Sequence, residues 1–149
     1  MEDKDRKWLL FEYAWRWFEY HASQRLLAFR FYLIIIGAIG WFFVQKKDSM
    51  SESNYIFVGI VLFVVSLFFL FLEWRNNQLV DCGREALDKL EEELQVLNTP
   101  YAIRHKDQEK RRNNCIVSHA FVIKALYMLI GIGGVILISL GVSHLCICK

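Results

Sequence analysis

The sequence predicts an all-α membrane protein: three transmembrane helices, N-terminus cytoplasmic, that continue into a cytoplasmic helical bundle with a helical hairpin. Three observations predict it. Of 149 residues, 55% are hydrophobic and a single one is proline. Asp, Glu, Lys and Arg are absent from Phe31 to Gln45, from Ser53 to Leu72 and from Ala125 to Cys148. The 18 Lys and Arg residues are divided very unevenly among the segments that flank these runs. This distribution excludes an ordinary cytosolic enzyme, a disulfide-rich secreted miniprotein and a disordered regulator.

A helix needs roughly 20 predominantly apolar residues to cross about 30 Å of hydrocarbon. Tyr55–Leu72 supplies 18 and Ala125–Cys148 supplies 24, both without a charge. Phe31–Val44 supplies 14, and Leu26–Phe29 extends the run to 19 with Arg30 as the one interruption. Near the end of a span, the Arg30 guanidinium can snorkel to the headgroups. Spans are expected over residues 26–44, 55–72 and 125–148, with a short external loop at 45–54. The residues ahead of the first span are aromatic and mixed in charge, and no small-residue cleavage site follows, so a cleaved signal peptide is not expected.

Loop charge sets the expected orientation. Lys4, Arg6, Lys7, Arg16, Arg25 and Arg30 precede the first span and nine further cations separate the second from the third, whereas the remaining segments hold only Lys46, Lys47 and Lys149. A bias of 15 against 3 puts the N-terminus and residues 73–124 in the cytoplasm and the C-terminus outside, as in a multi-pass protein of a bacterial inner membrane. The net charge of +2 is then mostly topology, although a basic cytoplasmic face also attracts anionic lipid. Nucleic acid is not an expected partner. Cys82 and Cys115 fall on the reducing side. Cys146 and Cys148 fall at the outer end, where such a pair either binds metal, forms a disulfide or stays as two thiols.

Before the first span, Trp8, Phe11, Trp15, Phe18 and Ala22 recur every three or four residues, the mark of an amphipathic helix with an aromatic face over residues 1–30. That helix either runs straight into the span or bends to lie at the interface, where Trp is favoured. Trp8, Trp15, Trp17, Arg25 and Arg30 are the candidate lipid-interface residues. Beyond the second span, helix formers continue with Val80, Leu87, Leu90, Leu94 and Leu97 in heptad-like spacing until Asn98-Thr99-Pro100 stops them. Tyr55–Leu97 thus reads as one helix of 43 residues, about 65 Å long. Arg84–Glu93 carries net charge −3 and Arg104–Arg112 net +3, so the turn at 98–100 joins the arms of an antiparallel hairpin within residues 73–124.

So little soluble mass favours oligomerisation over a conventional substrate domain. Leu87, Leu90, Leu94 and Leu97, edged by Glu91, Glu92 and Glu93, form a candidate oligomer or partner interface. Gly37, Gly40, Gly131, Gly133, Gly134 and Gly141, with Ser139, let helices approach closely inside the membrane. Each of these patches serves equally for packing the three helices of one chain.

The sequence contains no metal-ligand cluster, P-loop, nucleophile elbow or dinucleotide fingerprint, and no metal or cofactor is expected. The glycines of the third span lie in an apolar run and are not a nucleotide loop. His21 and Arg25, an i, i+4 pair with Glu19 nearby, either bind a phosphate or headgroup or belong to a paired helix face. His144 is the ionisable group of the third span and lies close to the chain's end. Arg112 and His119 are seven residues apart, about two turns, and so share one helix face. The stretch Arg112-Asn113-Asn114-Cys115-Ile116-Val117-Ser118-His119 resembles the motif of HEPN ribonucleases. That resemblance implies proton transfer by His119 and phosphate contact by Arg112, while the topology alone already accounts for an arginine at the cytoplasmic end of a span.

A wider resemblance runs through Tyr13-Ala14-Trp15-Arg16-Trp17-Phe18-Glu19-Tyr20-His21-Ala22-Ser23-Gln24-Arg25, the two spans that follow, and Glu73-Trp74-Arg75-Asn76-Asn77-Gln78-Leu79-Val80 with Gly83-Arg84-Glu85-Ala86-Leu87-Asp88-Lys89-Leu90-Glu91. This part of the chain looks like a group of small bacterial multi-span membrane proteins of unestablished function. In arrangement it is similar to SLATT-type transmembrane effectors encoded beside antiviral systems, from whose usual two spans the third span departs. The resemblance implies a cytoplasmic helical portion that senses or assembles and a membrane portion that acts on the bilayer. The expected function is that of a non-enzymatic, oligomeric inner-membrane effector that forms a pore or perturbs the membrane. Its expected partners are the lipid bilayer, further copies of the chain and a cytoplasmic sensor protein. The rival readings are a membrane scaffold that recruits a soluble partner and a membrane-tethered HEPN-like ribonuclease on Arg112 and His119.

Overall fold

With its one proline at position 100, the chain has nothing to interrupt a helix across either of its first two apolar runs. A computed structural model of the protein describes residues 2–46, 51–94 and 119–147. Among these every residue but Ser51 and Leu94 is helical, and no strand occurs. Helix α1 runs from Glu2 to Lys46, α2 from Glu52 to Glu93 and α3 from His119 to Ile147. At 1.5 Å per residue these are about 67, 63 and 43 Å long. Three apolar helices, Asp5–Lys46, Glu52–Glu93 and His119–Cys146, are long enough to cross a membrane.

The ends follow ordinary helix chemistry. The Ser51 carbonyl accepts from the N–H groups of Asn54 at 2.9 Å and Tyr55 at 3.4 Å, which makes Ser51 the residue that opens α2. Glu52 stands in the first turn of α2 and Lys46 in the last turn of α1, each with the sign that the helix dipole favours. The α2 helix ends at Glu93, with the Leu94 N–H still donating to the Leu90 carbonyl at 3.0 Å. Leu97, the turn at 98–100, the second hairpin arm with Arg112 and Cys115, Lys47 of the external loop, and Cys148 lie outside the described residues.

The chain forms two units: Met1–Arg25 with Arg75–Ser118, and Leu26–Trp74 with His119–Lys149. The first, the aromatic unit, is centred on Ala14 of α1 and Leu87 and Leu90 of α2, with Phe11, Phe18 and Ala86 packed against them. Phe11, Ala14 and Phe18 sit three and four residues apart and so share one face of α1. The small Ala14 lets the leucines of α2 approach the backbone. The face turned to α2 is therefore centred on Ala14; Trp8 and Trp15 of the expected aromatic stripe stay 65% and 47% exposed.

The second, the span unit, has its core in Tyr32 of α1, Phe69 of α2 and Ile123 and Tyr127 of α3. Around it pack Ala28, Phe29, Ile36, Val65, Leu70, Leu126 and Ile130. Most other large apolar side chains of this unit point outward, Trp41, Phe57 and Leu129 among them. Water would not tolerate so much continuous apolar surface. Hydrocarbon does, and close packing rather than water exclusion then decides where the helices touch.

Candidate functional site

Among the described residues no group of three or more His, Cys, Asp or Glu side chains could hold a metal ion. The chemistry built into the span unit is that of close helix contact. In its middle, the hydroxyls of Tyr32 and Ser66 share a buried hydrogen bond of 2.9 Å between α1 and α2. Tyr127 of α3 meets the Tyr32 ring edge-on at 4.5 Å, and Phe69 lies 5.2 Å from the same ring. Gly131 lies beside Ser66: a Cβ added there would be 3.4 Å from the Ser66 Cβ. In a medium without water, satisfying the two hydroxyls against each other avoids leaving either unpaired.

The α2 and α3 helices touch through backbone. A Cβ added at Gly59 would lie 2.6 Å from the Gly134 carbonyl oxygen, and one added at Gly134 would lie 2.7 Å from the Gly59 carbonyl oxygen and 2.9 Å from the Phe63 nitrogen. Further along, a Cβ at Gly141 would meet Ile56 Cγ1 at 2.6 Å. Between α1 and α3 the packing is more open. An apolar cleft of about 450 Å³ runs there, lined by all three helices, with Gly40 and Phe43, Leu129 and Gly133, and Val58 and Leu62 among its walls. A smaller cavity of about 260 Å³ is lined by Glu52, Tyr55, Leu140, Gly141 and His144.

In the aromatic unit, α1 and α2 are joined by a bond that spacing alone does not announce. The indole Nε1–H of Trp17 donates to the Leu79 carbonyl at 3.0 Å. One turn on, α2 presents Gly83, where an added Cβ would lie 3.1 Å from Trp17 Cδ1 and 3.2 Å from the Phe18 Cα and Cβ. The Trp17 ring also packs on His21 at 4.6 Å, and Tyr20 meets the same imidazole edge-on at 5.1 Å. His21 Nδ1 is buried without a hydrogen-bond partner, so the imidazole serves here as a packed ring. On α2, Asp81 accepts from Asn77 at 2.9 Å and from Arg84 at 3.0 Å, a local clasp on the same helix. An apolar groove of about 540 Å³ is lined by Asp5, Lys7, Trp8, Phe11 and Leu94.

A family model, described as that of the octameric membrane protein family, matches residues 9–142. The chain belongs to the octameric membrane protein family. It is also similar to CD-NTase-associated protein 19 of Escherichia coli, with 26% identity over 132 residues that cover 85% of this chain and 86% of that protein. No solved structure matches it.

This member of the octameric membrane protein family places the residues read from its sequence in three settings. Leu87 and Leu90 are buried against its own α1, while Leu94 is 44% exposed and Glu92 and Glu93 are exposed beside it, with Glu91 half-buried. Trp8, Trp15, Trp17 and Arg30 are exposed, and Arg25 is buried. Gly131, Gly134 and Gly141 pack against α2, whereas a Cβ added at Gly37, Gly40 or Gly133 would meet nothing within 4 Å. His119 is exposed at the first residue of α3. Cys82 and Cys146 are exposed free thiols. Neither periodicity nor charge in the sequence singles out Tyr32, Ser66, Gly59 or Gly83 as a contact. Ser66 and Gly59 do carry a signal, each being a small residue set alone in a run of bulky apolar ones, where only a close neighbour explains the choice.

Proposed function

We propose that this chain is a subunit of a homo-octameric, multi-pass effector of antiviral defence in a bacterial inner membrane, without enzymatic activity. In this reading the N-terminus and residues 73–124 are cytoplasmic and the C-terminus is outside. The aromatic unit assembles or receives a trigger, directly or through a cytoplasmic sensor protein, and the span unit acts on the bilayer. The family's description supports the octamer, and the relative named as CD-NTase-associated supports a role beside another protein of a bacterial system. The resemblance to small transmembrane effectors encoded beside antiviral systems supplies the defence context.

One observation carries the mechanism: α1 and α2 each contribute residues to both units as single unbroken helices. In this reading a rearrangement of either helix in one unit is passed along the same helix to the other. Ser139 and Ser143 of α3 donate to the Val135 and Ser139 carbonyls of their own helix, at 3.0 and 2.8 Å. Both hydroxyls are thereby satisfied in lipid and offer no polar stripe for a wide aqueous channel. This favours reorganisation of the spans within the bilayer over a standing pore.

The test is direct. Protein purified in mild detergent should have the mass of eight chains, and cells expressing it should lose membrane potential under phage challenge. A monomeric mass, or potential and dye exclusion unchanged under every activating condition, overturns the reading. Unchanged potential together with capture of a soluble protein that charge reversal at Glu91, Glu92 and Glu93 abolishes assigns the chain to the scaffold class instead.

A further inference from the structure

The described glycines of the span unit divide cleanly by their surroundings. Gly59, Gly131, Gly134 and Gly141 each stand against a neighbouring helix of the same chain, while Gly37, Gly40 and Gly133 face open space. Glycine is a poor helix former, and in a span that meets only lipid it brings no gain, because acyl chains solvate Ala or Leu as readily. What an exposed glycine does provide is room for another helix to come close. Gly40 and Gly133 line opposite walls of the α1–α3 cleft, whose other sides include Val58 and Leu62 of α2.

The same α2 carries the complementary shape. Phe57, Ile60, Val64, Phe68 and Phe71 are all exposed, at 67%, 46%, 55%, 60% and 60%. They recur at intervals of three and four residues and form one bulky ridge. On an ideal helix of 3.6 residues per turn, this ridge is centred about 140° around the axis from Val58 and Leu62. A subunit in a closed ring needs two different, complementary surfaces, and in a ring of eight the directions to its two neighbours differ by about 135°.

We propose that the α1–α3 cleft of each subunit receives the Phe57–Phe71 ridge of α2 from the next copy, and that this heterologous contact closes the octamer. The proposal rests on the octameric reading above and identifies the surface that makes it. The Phe and Ile knobs enter the cleft where Gly40 and Gly133 leave no side chain in the way. An acyl chain is the competing occupant, and the experiment separates the two.

A photo-reactive benzophenone amino acid replaces Leu129, a cleft residue that is 66% exposed, in the full chain in native membranes. Illumination should yield a two-chain adduct whose cross-linked peptide lies within residues 57–71. A phospholipid adduct, or a two-chain adduct through any other segment, overturns the proposal. In parallel, Gly40→Phe with Gly133→Phe fills the cleft, where an added Cβ meets nothing of the protomer's own within 4 Å. The octamer fraction should fall about tenfold or more at equal protein concentration, while Ile34→Phe, an exposed change elsewhere on α1, leaves it unchanged. An octamer that survives the double substitution also overturns the proposal. A wild-type chain that is itself monomeric instead refutes the octameric reading on which it rests.

Discussion

Replacing Gly134 by Ala adds one methyl group at the point where α2 and α3 come closest. Two effects oppose each other. Ala is the better helix former by about 1 kcal/mol, which favours the variant. The new Cβ, however, would lie 2.7 Å from the Gly59 carbonyl oxygen and 2.9 Å from the Phe63 nitrogen, about 0.7 and 0.5 Å short of ordinary contact. Both obstacles are backbone, so no rotamer change relieves them and the helices must separate. Overpacking of this kind costs about 1–3 kcal/mol. A gap of about 0.5–1 Å also forfeits a quarter to a half of the dispersion energy of each contact it opens. Overpacking wins, and the expected net destabilisation is about 1–2 kcal/mol in reversible unfolding in bicelles. Gly59→Ala should cost a similar amount, since its Cβ would meet the Gly134 carbonyl oxygen at 2.6 Å. Because the same separation relieves both clashes, the double variant should cost clearly less than the sum of the two. A neutral or stabilising Gly134→Ala, or strict additivity, refutes the backbone contact and the packing argument built on it.

Ser66→Ala should destabilise the span unit by orphaning the Tyr32 hydroxyl, and pairing it with Tyr32→Phe should recover part of the loss; a double-mutant cycle should give a coupling of about 0.6 kcal/mol, the usual size for such bonds within membranes, and zero coupling contradicts the bond. Trp17→Phe keeps most of the ring but removes the donor to Leu79, so unfolding should show a loss of about 0.5–1.5 kcal/mol, and no loss means that the indole bonds elsewhere. Leu87→Ala should cost about 2–4 kcal/mol as a buried truncation, whereas Leu94→Ala, at an exposed position, should stay within about 0.5 kcal/mol; equal effects count against the packing of the aromatic unit.

The three spans were legible because a membrane imposes a crude and strict rule, long runs without charge, and residues 31–45, 53–72 and 125–148 obey it. Helix periodicity also placed Phe11, Phe18, Leu87 and Leu90 on packing faces. What periodicity does not reveal is which of several equivalent faces meets which helix. Trp8 and Trp15 have the same spacing credentials as Phe11 and Phe18, and the small Ala14 decides between them by admitting the leucines of α2. Within the spans almost every residue is apolar, so contrast vanishes. There the informative positions are the exceptions in size and polarity, Gly59, Ser66 and Tyr32, whose partners lie on other helices and have no trace in local spacing. The span glycines that do stand out in sequence, from Gly37 to Gly141, divide into those packed against α2 and those facing open space only in three dimensions.

The two kinds of contact within the span unit differ in stiffness. Where α2 meets α3 at Gly59 and Gly134, backbone stands against backbone, with Ile138 and Leu62 packed beside the contact, and such a joint leaves no room for an added methyl group. The α1 helix is held by rings and one hydroxyl pair: Tyr32 on Phe69 and Tyr127, Phe29 on Tyr127, Phe43 on Tyr55, and Tyr32 on Ser66. Rings can tilt and offset over one another at little cost. Within the span unit, side-chain truncations at Tyr32, Phe29 or Phe43 therefore loosen the seat of α1, whereas the α2–α3 seam at Gly59 and Gly134 answers to added atoms rather than to removed ones.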